Sequence, residues 1–319
     1  MPSVLTIPEI SKQIYNNQTL SVLEETYSKL VPQWTISQLE WMNGIYKSFK
    51  DHEKFLIIIY LTKRTLDFYA RNFVKLSYND FYSKNSVEIE KFSVIEISKE
   101  LNIPKESARR KIIELENEGV IKRYKKKIII ERSAHPYNKQ KKTVLRISRF
   151  LSMFSKILKE NKAIDNDFST DQIEKNIKKN FSYIWKLYYE MQIPMILNYK
   201  KIFGDIETFH IYGSCVVNQH LYTQETNNNM NRAEFLDSII TTKSRQGLNA
   251  MSISEITGIP RATVVRKLKK LVKSKSLFVD EKKHYKLTSV FIKKLIPVQK
   301  NLFIQLANFT TKVINTAIL

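Results

Sequence analysis

One pattern occurs twice in this chain of 319 residues, and it limits what the rest can be. The first copy runs Ile97-Ser-Lys-Glu-Leu-Asn-Ile-Pro104 and continues Lys105-Glu-Ser-Ala-Arg-Arg-Lys-Ile-Ile-Glu-Leu115. The second runs Ile253-Ser-Glu-Ile-Thr-Gly-Ile-Pro260 and continues Arg261-Ala-Thr-Val-Val-Arg-Lys-Leu-Lys-Lys-Leu271. They align without a gap, and Ile97/Ile253, Ser98/Ser254, Ile103/Ile259, Pro104/Pro260, Arg110/Arg266, Lys111/Lys267 and Leu115/Leu271 are identical pairs. Each copy predicts a short helix, a tight turn and a second helix opened by proline. Asn102 and Gly258 stand where a left-handed residue must end the first helix. Pro104 and Pro260 stand where a missing N–H is harmless.

Ala108, Ile112 and Leu115 fall on one helical face, as do Val264, Leu268 and Leu271, so these faces pack inward. Left outward are Lys105, Glu106, Ser107, Arg109, Arg110 and Lys111 in the first copy. In the second they are Arg261, Ala262, Thr263, Val265, Arg266 and Lys267. After each second helix comes a strand, a charged turn and a strand. In copy one these are Val120–Tyr124, Lys125-Lys-Lys127 and Ile128–Glu131. In copy two they are Leu277–Val279, Asp280–Lys283 and His284–Leu287.

The chain carries 53 Lys+Arg against 31 Asp+Glu, a formal charge of +22. Residues 104–149 hold fifteen basic and five acidic residues, and residues 261–286 hold ten and two. Most of the surplus thus sits on the two copies and their flanks, which points to a polyanionic partner there. Copy two has no acid from Arg261 to Val279 and is the stronger candidate for tight binding.

These residues resemble the winged helix-turn-helix of the MarR, IclR and GntR groups of bacterial regulators. The resemblance rests on the Ile-Ser-x4-Ile-Pro turn, the basic second helix, Leu-Glu-Asn-Glu-Gly119-Val-Ile in copy one and the strand pairs. Copy two departs at Lys273-Ser-Lys-Ser276, which lacks the Glu-x-Gly junction. The resemblance implies a mainly α fold with small β wings and two winged units in a helical scaffold; the repeated order of helices, winged unit and closing helix points to an internal duplication. It implies double-stranded DNA as partner, with the second helix in the major groove. Arg109, Arg110 and Arg266 are then candidates for guanine or phosphate, Ser107 and Thr263 for phosphate or base, and Lys105, Lys111, Arg261 and Lys267 are further candidates for DNA contact. Val265 suits a thymine methyl group. Lys125, Lys126, Lys127, Lys282 and Lys283 at the wing tips would hold phosphates.

The expected layout is residues 1–160, with a winged unit at about 93–132 and a closing helix, then 171–319, with the second unit at about 231–288 and a terminal helix. Residues 161–170 read as the linker. Helices are expected over 8–30, ending at Val31-Pro32, then from Thr35 and over 53–76. Residues 77–91 read as a loop, and Pro194 as a break. The apolar terminal helix 290–319 is a candidate for self-association. Six glycines and eight prolines agree with a mostly helical chain.

The single cysteine, Cys215, excludes an intramolecular disulfide framework and a thiolate zinc site. His210, Cys215 and His220 recur every fifth residue, a spacing that drifts about 140° per step around a helix and does not converge on a metal. Trp185, Tyr188, Tyr189, Phe203, Phe209 and Tyr212 read as core before they read as a ligand pocket. There is no glycine-rich phosphate loop, Gly-x-Ser-x-Gly or His-Glu-x-x-His. The expectation is a cytoplasmic, nucleoid-associated regulator without cofactor, catalytic site, signal peptide or membrane segment. A plasmid-type replication initiator with tandem winged helices is the alternative from the same layout, and a winged-helix protein-interaction module the alternative from another class.

Overall fold

The computed structural model describes residues 13–83, 86–89, 93–124, 127–131, 140–227, 229–241 and 247–318. The fold is mainly helical with two small antiparallel sheets. In chain order the first half has α1 (Asn16–Glu25), α2 (Tyr27–Phe49), α3 (His52–Arg71), α4 (Tyr78–Ser83), β1 (Ser86–Ile89), α5 (Val94–Glu100), α6 (Lys105–Asn117), β2 (Ile121–Tyr124), β3 (Lys127–Glu131) and α7 (Lys141–Glu160). The second half has α8 (Thr170–Lys179), α9 (Phe181–Phe203), α10 (Ile206–Thr226), α11 (Arg232–Thr241), α12 (Ala250–Thr257), α13 (Arg261–Lys273), β4 (Leu277–Val279), β5 (Tyr285–Leu287) and α14 (Ser289–Ile318).

The order of elements is therefore repeated far beyond the sequence pattern. Helices α1 and α8 have ten residues each, and α2 and α9 twenty-three each, at the same offset. Lys50 and Gly204 end α2 and α9 in the same left-handed conformation, and Asp51 and Asp205 then cap α3 and α10. In the first sheet the order is β1-β3-β2, with Val87 opposite Ile130 and Ile121 opposite Ile130. In the second, β5 pairs with β4 and makes a single bridge to Leu248, in the place of β1.

The halves do not pack side by side. Helix α2 lies along α10, and its counterpart α9 lies along α3. Likewise α1 lies on α14, and α8 on α7. Contacts of this kind are isologous, as in a two-fold dimer, although here one chain supplies both sides. Backbone bonds reproduce the relation. Ser28 N donates to Met230 O (3.1 Å) and Met230 N to Ser28 Oγ (2.8 Å), while Ser182 N donates to Leu76 O (3.0 Å) and Leu76 N to Ser182 Oγ (2.9 Å). At the centre Trp41 of α2 meets Phe55 of α3 and Tyr188 of α9 edge-on, with all three rings buried. Residues 161–169 turn tightly, with Ile164 buried and Phe168 O accepting from Ser152 Oγ at 2.8 Å.

Several expectations are corrected. Residues 77–91 are not a loop: they include α4 and β1, whose Val87 and Ile89 face the core. Pro194 does not break α9. Pro32 does not end a helix either, because α2 runs through it. A proline there removes the donor to the carbonyl of the residue four before it, Ser28. Gln224 of α10 supplies the missing donor, its Nε2 lying 2.8 Å from Ser28 O. Residues 8–12 of the first expected helix lie outside the described residues.

Replacing Gln224 by Met keeps the volume but orphans that carbonyl. Unfolding in denaturant should show a loss of about 1 kcal/mol, and an unchanged midpoint would contradict this account of Pro32.

Candidate nucleic-acid interface

The repeated residues do the same work in both copies. Ile97 and Ile103, like Ile253 and Ile259, are buried beneath the turn. Ser98 Oγ donates to Ile103 O, and Ser254 Oγ to Ile259 O, each at 2.7 Å, closing the turn. Asn102 (φ 48°) and Gly258 (φ 69°) take the left-handed conformation. Pro104 and Pro260 stand at the N-caps of α6 and α13, and their carbonyls accept the first helical bonds from Ala108 and Val264. Ala108, Ile112, Leu115, Val264, Leu268 and Leu271 are buried, as the spacing predicts. The Glu-x-Gly departure in copy two leaves the geometry intact: Lys275 (φ 56°) stands where Gly119 (φ 71°) does. Ser276 N donates to Leu271 O as Val120 N does to Leu115 O, both at 2.9 Å.

Two expected outward residues are not outward. Lys111 and Lys267 are each only 8% exposed. Lys111 Nζ pairs closely with Asp51 and lies 3.4 Å from Glu53. Lys267 Nζ pairs with Asp205 at 2.7 Å and lies 3.7 Å from Glu207. The reason is electrostatic. Asp51 and Asp205 accept hydrogen bonds from the first-turn amides of α3 and α10, and a buried lysine of the neighbouring helix neutralises each. Burial alone would raise the Asp205 carboxyl, but the Lys267 and Thr208 hydrogen bonds outweigh it and hold the group down at about 2. Asp51 is lowered in the same way against its burial, chiefly by Lys111. These lysines fix how α6 and α13 sit on the scaffold.

Sequence reasoning also missed the other lysines that dock the first copy. Lys54 of α3 pairs with Glu114 of α6 (2.9 Å) and with Glu118 at its C-cap (2.6 Å). Lys200 of α9 pairs with Glu53 (2.7 Å) and donates to Asn102 O (2.7 Å), so the opposite half holds the turn of copy one. The signal in hindsight is Asp-x-Glu at both 51–53 and 205–207.

What remains exposed is basic. Lys105, Arg109 and Arg110 project from α6, and Arg261 and Arg266 from α13. Ser107, Thr263 and Val265 are half-buried beside them. Arg110 lies 3.6 Å from Glu114, whereas Lys105, Arg109, Arg261 and Arg266 have no ionic partner among the described residues. In the β4–β5 turn, Asp280 accepts from His284 N (2.9 Å) and pairs with Lys286 (2.9 Å), which leaves Lys282 and Lys283 exposed at the tip. In the first strand pair Lys127 is bound to Glu88 and Arg123 to Glu116, while Lys125 and Lys126 lie outside the described residues.

The tempting histidines are engaged elsewhere. His210 bridges Asn43 Oδ1 (2.7 Å) and His52 Nε2 (3.1 Å), and His220 lies 3.3 Å from Thr35 Oγ1. Burial lowers His52 and His220 to about 4, and holds His210 well below its ordinary value, so all three are neutral near pH 7. Among the described residues no helix is long and apolar enough to cross a membrane. No family model, curated protein or solved structure matches the chain.

Asp205→Asn keeps the cap but removes the charge beside Lys267. A depressed carboxyl stabilises fully above its unfolded value near 3.8, and the contribution is lost as pH falls through about 2. The variant should therefore be about 1–2 kcal/mol less stable than the parent at pH 7, an amount discounted for the partial exposure of Asp205. The gap should close between pH 4 and 2. A gap constant over that range would rule out the ion pair as the anchor.

Proposed function

We propose that the chain is a sequence-specific, double-stranded-DNA-binding transcriptional regulator built from two winged helix-turn-helix units, with α6 and α13 as non-identical recognition helices. The observation that carries this is the sorting of basic residues on those helices. Lys111 and Lys267 are buried against scaffold carboxylates, whereas among the described residues Arg109, Arg261 and Arg266 have no acidic partner and Arg110 lies 3.6 Å from Glu114. A helix stabilised only for packing would not need Arg109, Arg261 and Arg266 free at its N-terminal half, where a major-groove helix meets bases.

The two helices divide the task unequally. Copy two is the stronger binder in this reading, because α13 carries no acid while α6 carries Glu106, Glu114 and Glu116. In this reading Arg266 bonds a guanine edge, and Val265 touches a thymine methyl group. Lys282 and Lys283 at the wing tip hold phosphates without reading sequence. Binding rather than catalysis is the activity, and no cofactor is invoked. The matching location is the nucleoid of a bacterial cytoplasm.

The repetition of the whole element order favours a second reading, a plasmid-type replication initiator with tandem winged helices. Such a protein would bind directly repeated origin sequences rather than a promoter. A protein-interaction module is the reading from outside DNA binding. It predicts no retention on DNA, whereas DNA binding predicts affinity that falls steeply with salt.

Arg266→Ala should cost about 1–3 kcal/mol on the preferred sequence and relax the preference at one base pair. Lys282→Ala should weaken all sequences alike and reduce the slope of log affinity against log salt by about one. Titrations over a salt series measure both, and identical behaviour of the two variants would sink the assignment of roles.

A further inference from the structure

A cavity of about 110 Å³ lies among α2, α9, α10 and α14. Its walls are aromatic, aliphatic and methionine side chains, among them Trp34, Met195, Tyr199, Phe209 and Phe303, and no Asp, Glu, Lys or Arg lines it. Two amide oxygens in the wall, Oε1 of Gln38 and of Gln299, are buried without a hydrogen-bond partner. His220, also in the wall, is neutral.

Both halves line the cavity, but it is open on only one side of the relation between them. At the corresponding place on the other side just 20 Å³ remains, bordered by Phe55, Ile59, Thr62 and Tyr189. The relation between the halves pairs Ile59 with Gly213, Tyr189 with Thr35, and Leu66 with His220. Each exchange removes bulk or adds a polar atom on the cavity side. Gly213 sits within α10, where glycine is a poor helix former, and a Cβ built on it meets nothing within 4 Å. Packing alone would favour a larger residue at 213, as the first half has at 59.

We propose that this cavity is a binding site for a small neutral aromatic molecule of about one ring that carries a hydrogen-bond donor, of the phenol type. The volume caps the guest at about one ring, being smaller than the roughly 150 Å³ apolar cavity that takes benzene. Neutrality follows from the uncharged wall, where an ion would lose its hydration without a partner. The donor follows from the two orphaned acceptors. One of the two oxygens, Gln38 Oε1 or Gln299 Oε1, accepts the hydroxyl hydrogen, and Trp34 and Phe209 flank the ring. The site stands independently of DNA binding.

The test is calorimetric titration of the full chain with phenol, and with benzene for comparison. Saturable 1:1 binding of phenol, at least tenfold tighter than benzene, is expected. Gly213→Ile copies the first half, and should abolish phenol binding without lowering the melting temperature. Thr35→Tyr fills the cavity from the opposite wall and should do the same, so the test survives if one variant fails to fold. Gln38→Leu with Gln299→Leu should reduce phenol to the affinity of benzene. Absence of saturable phenol binding to the parent protein, or undiminished binding to a folded cavity-filled variant, would overturn the proposal.

Discussion

Neither half of this chain covers its own long helices without the other. The apolar length of α3, with Phe55, Leu56, Ile57 and Ile59 almost fully buried, is closed by α9 from the other half, and α2 is closed by α10 in return. Burying such side chains contributes about 1.5–3 kcal/mol each. The exchange of helices is thus the interaction on which the rest depends. It forms one contiguous core through both halves. It also decides where the two outward helices point, because each is pinned to the N-terminus of a helix inside that exchange. Asp51 and Glu53 of α3 hold α6 through Lys111, and Asp205 and Glu207 of α10 hold α13 through Lys267.

A protein that obtains two recognition helices by dimerising must make them identical. In the proposed reading both are joined in one chain, which lifts that requirement, and each side can change alone. The outward faces differ in this way, as Lys-Glu-Ser and Arg-Arg on α6 against Arg-Ala-Thr and Val-Arg on α13. The inward faces keep Ile, Ser, the left-handed residue and Pro because the turn admits little else. The same freedom accounts for the interior: glycine at 213 opens a cavity on one side while isoleucine at 59 closes the other.

The parts legible in the sequence were those fixed by local rules. The two turns could be placed because a buried Ile, a hydroxyl that closes the turn, a left-handed residue and a proline must follow at set spacings. The inward faces of α6 and α13 followed from helical period. What the sequence hid depends on residues far away along the chain. Helix α2 passes through Pro32 because Gln224 replaces the lost donor. Lys111 and Lys267 look like outward neighbours of arginines until Asp51 and Asp205 are brought beside them. Strand β1 is four residues with two inward positions, too short a signal to outweigh its polar flanks. The exchange of helices leaves no local mark at all.

The central claim is that one chain reads two different half-sites. Hydroxyl-radical footprinting on a sequence selected from a random pool, with the stoichiometry fixed by sedimentation, tests it most directly. The account predicts one chain per duplex, with two unlike protected stretches on the same face about one helical turn, or 10–10.5 base pairs, apart. A single protected stretch per chain, or a strict palindrome occupied by two chains, would contradict it.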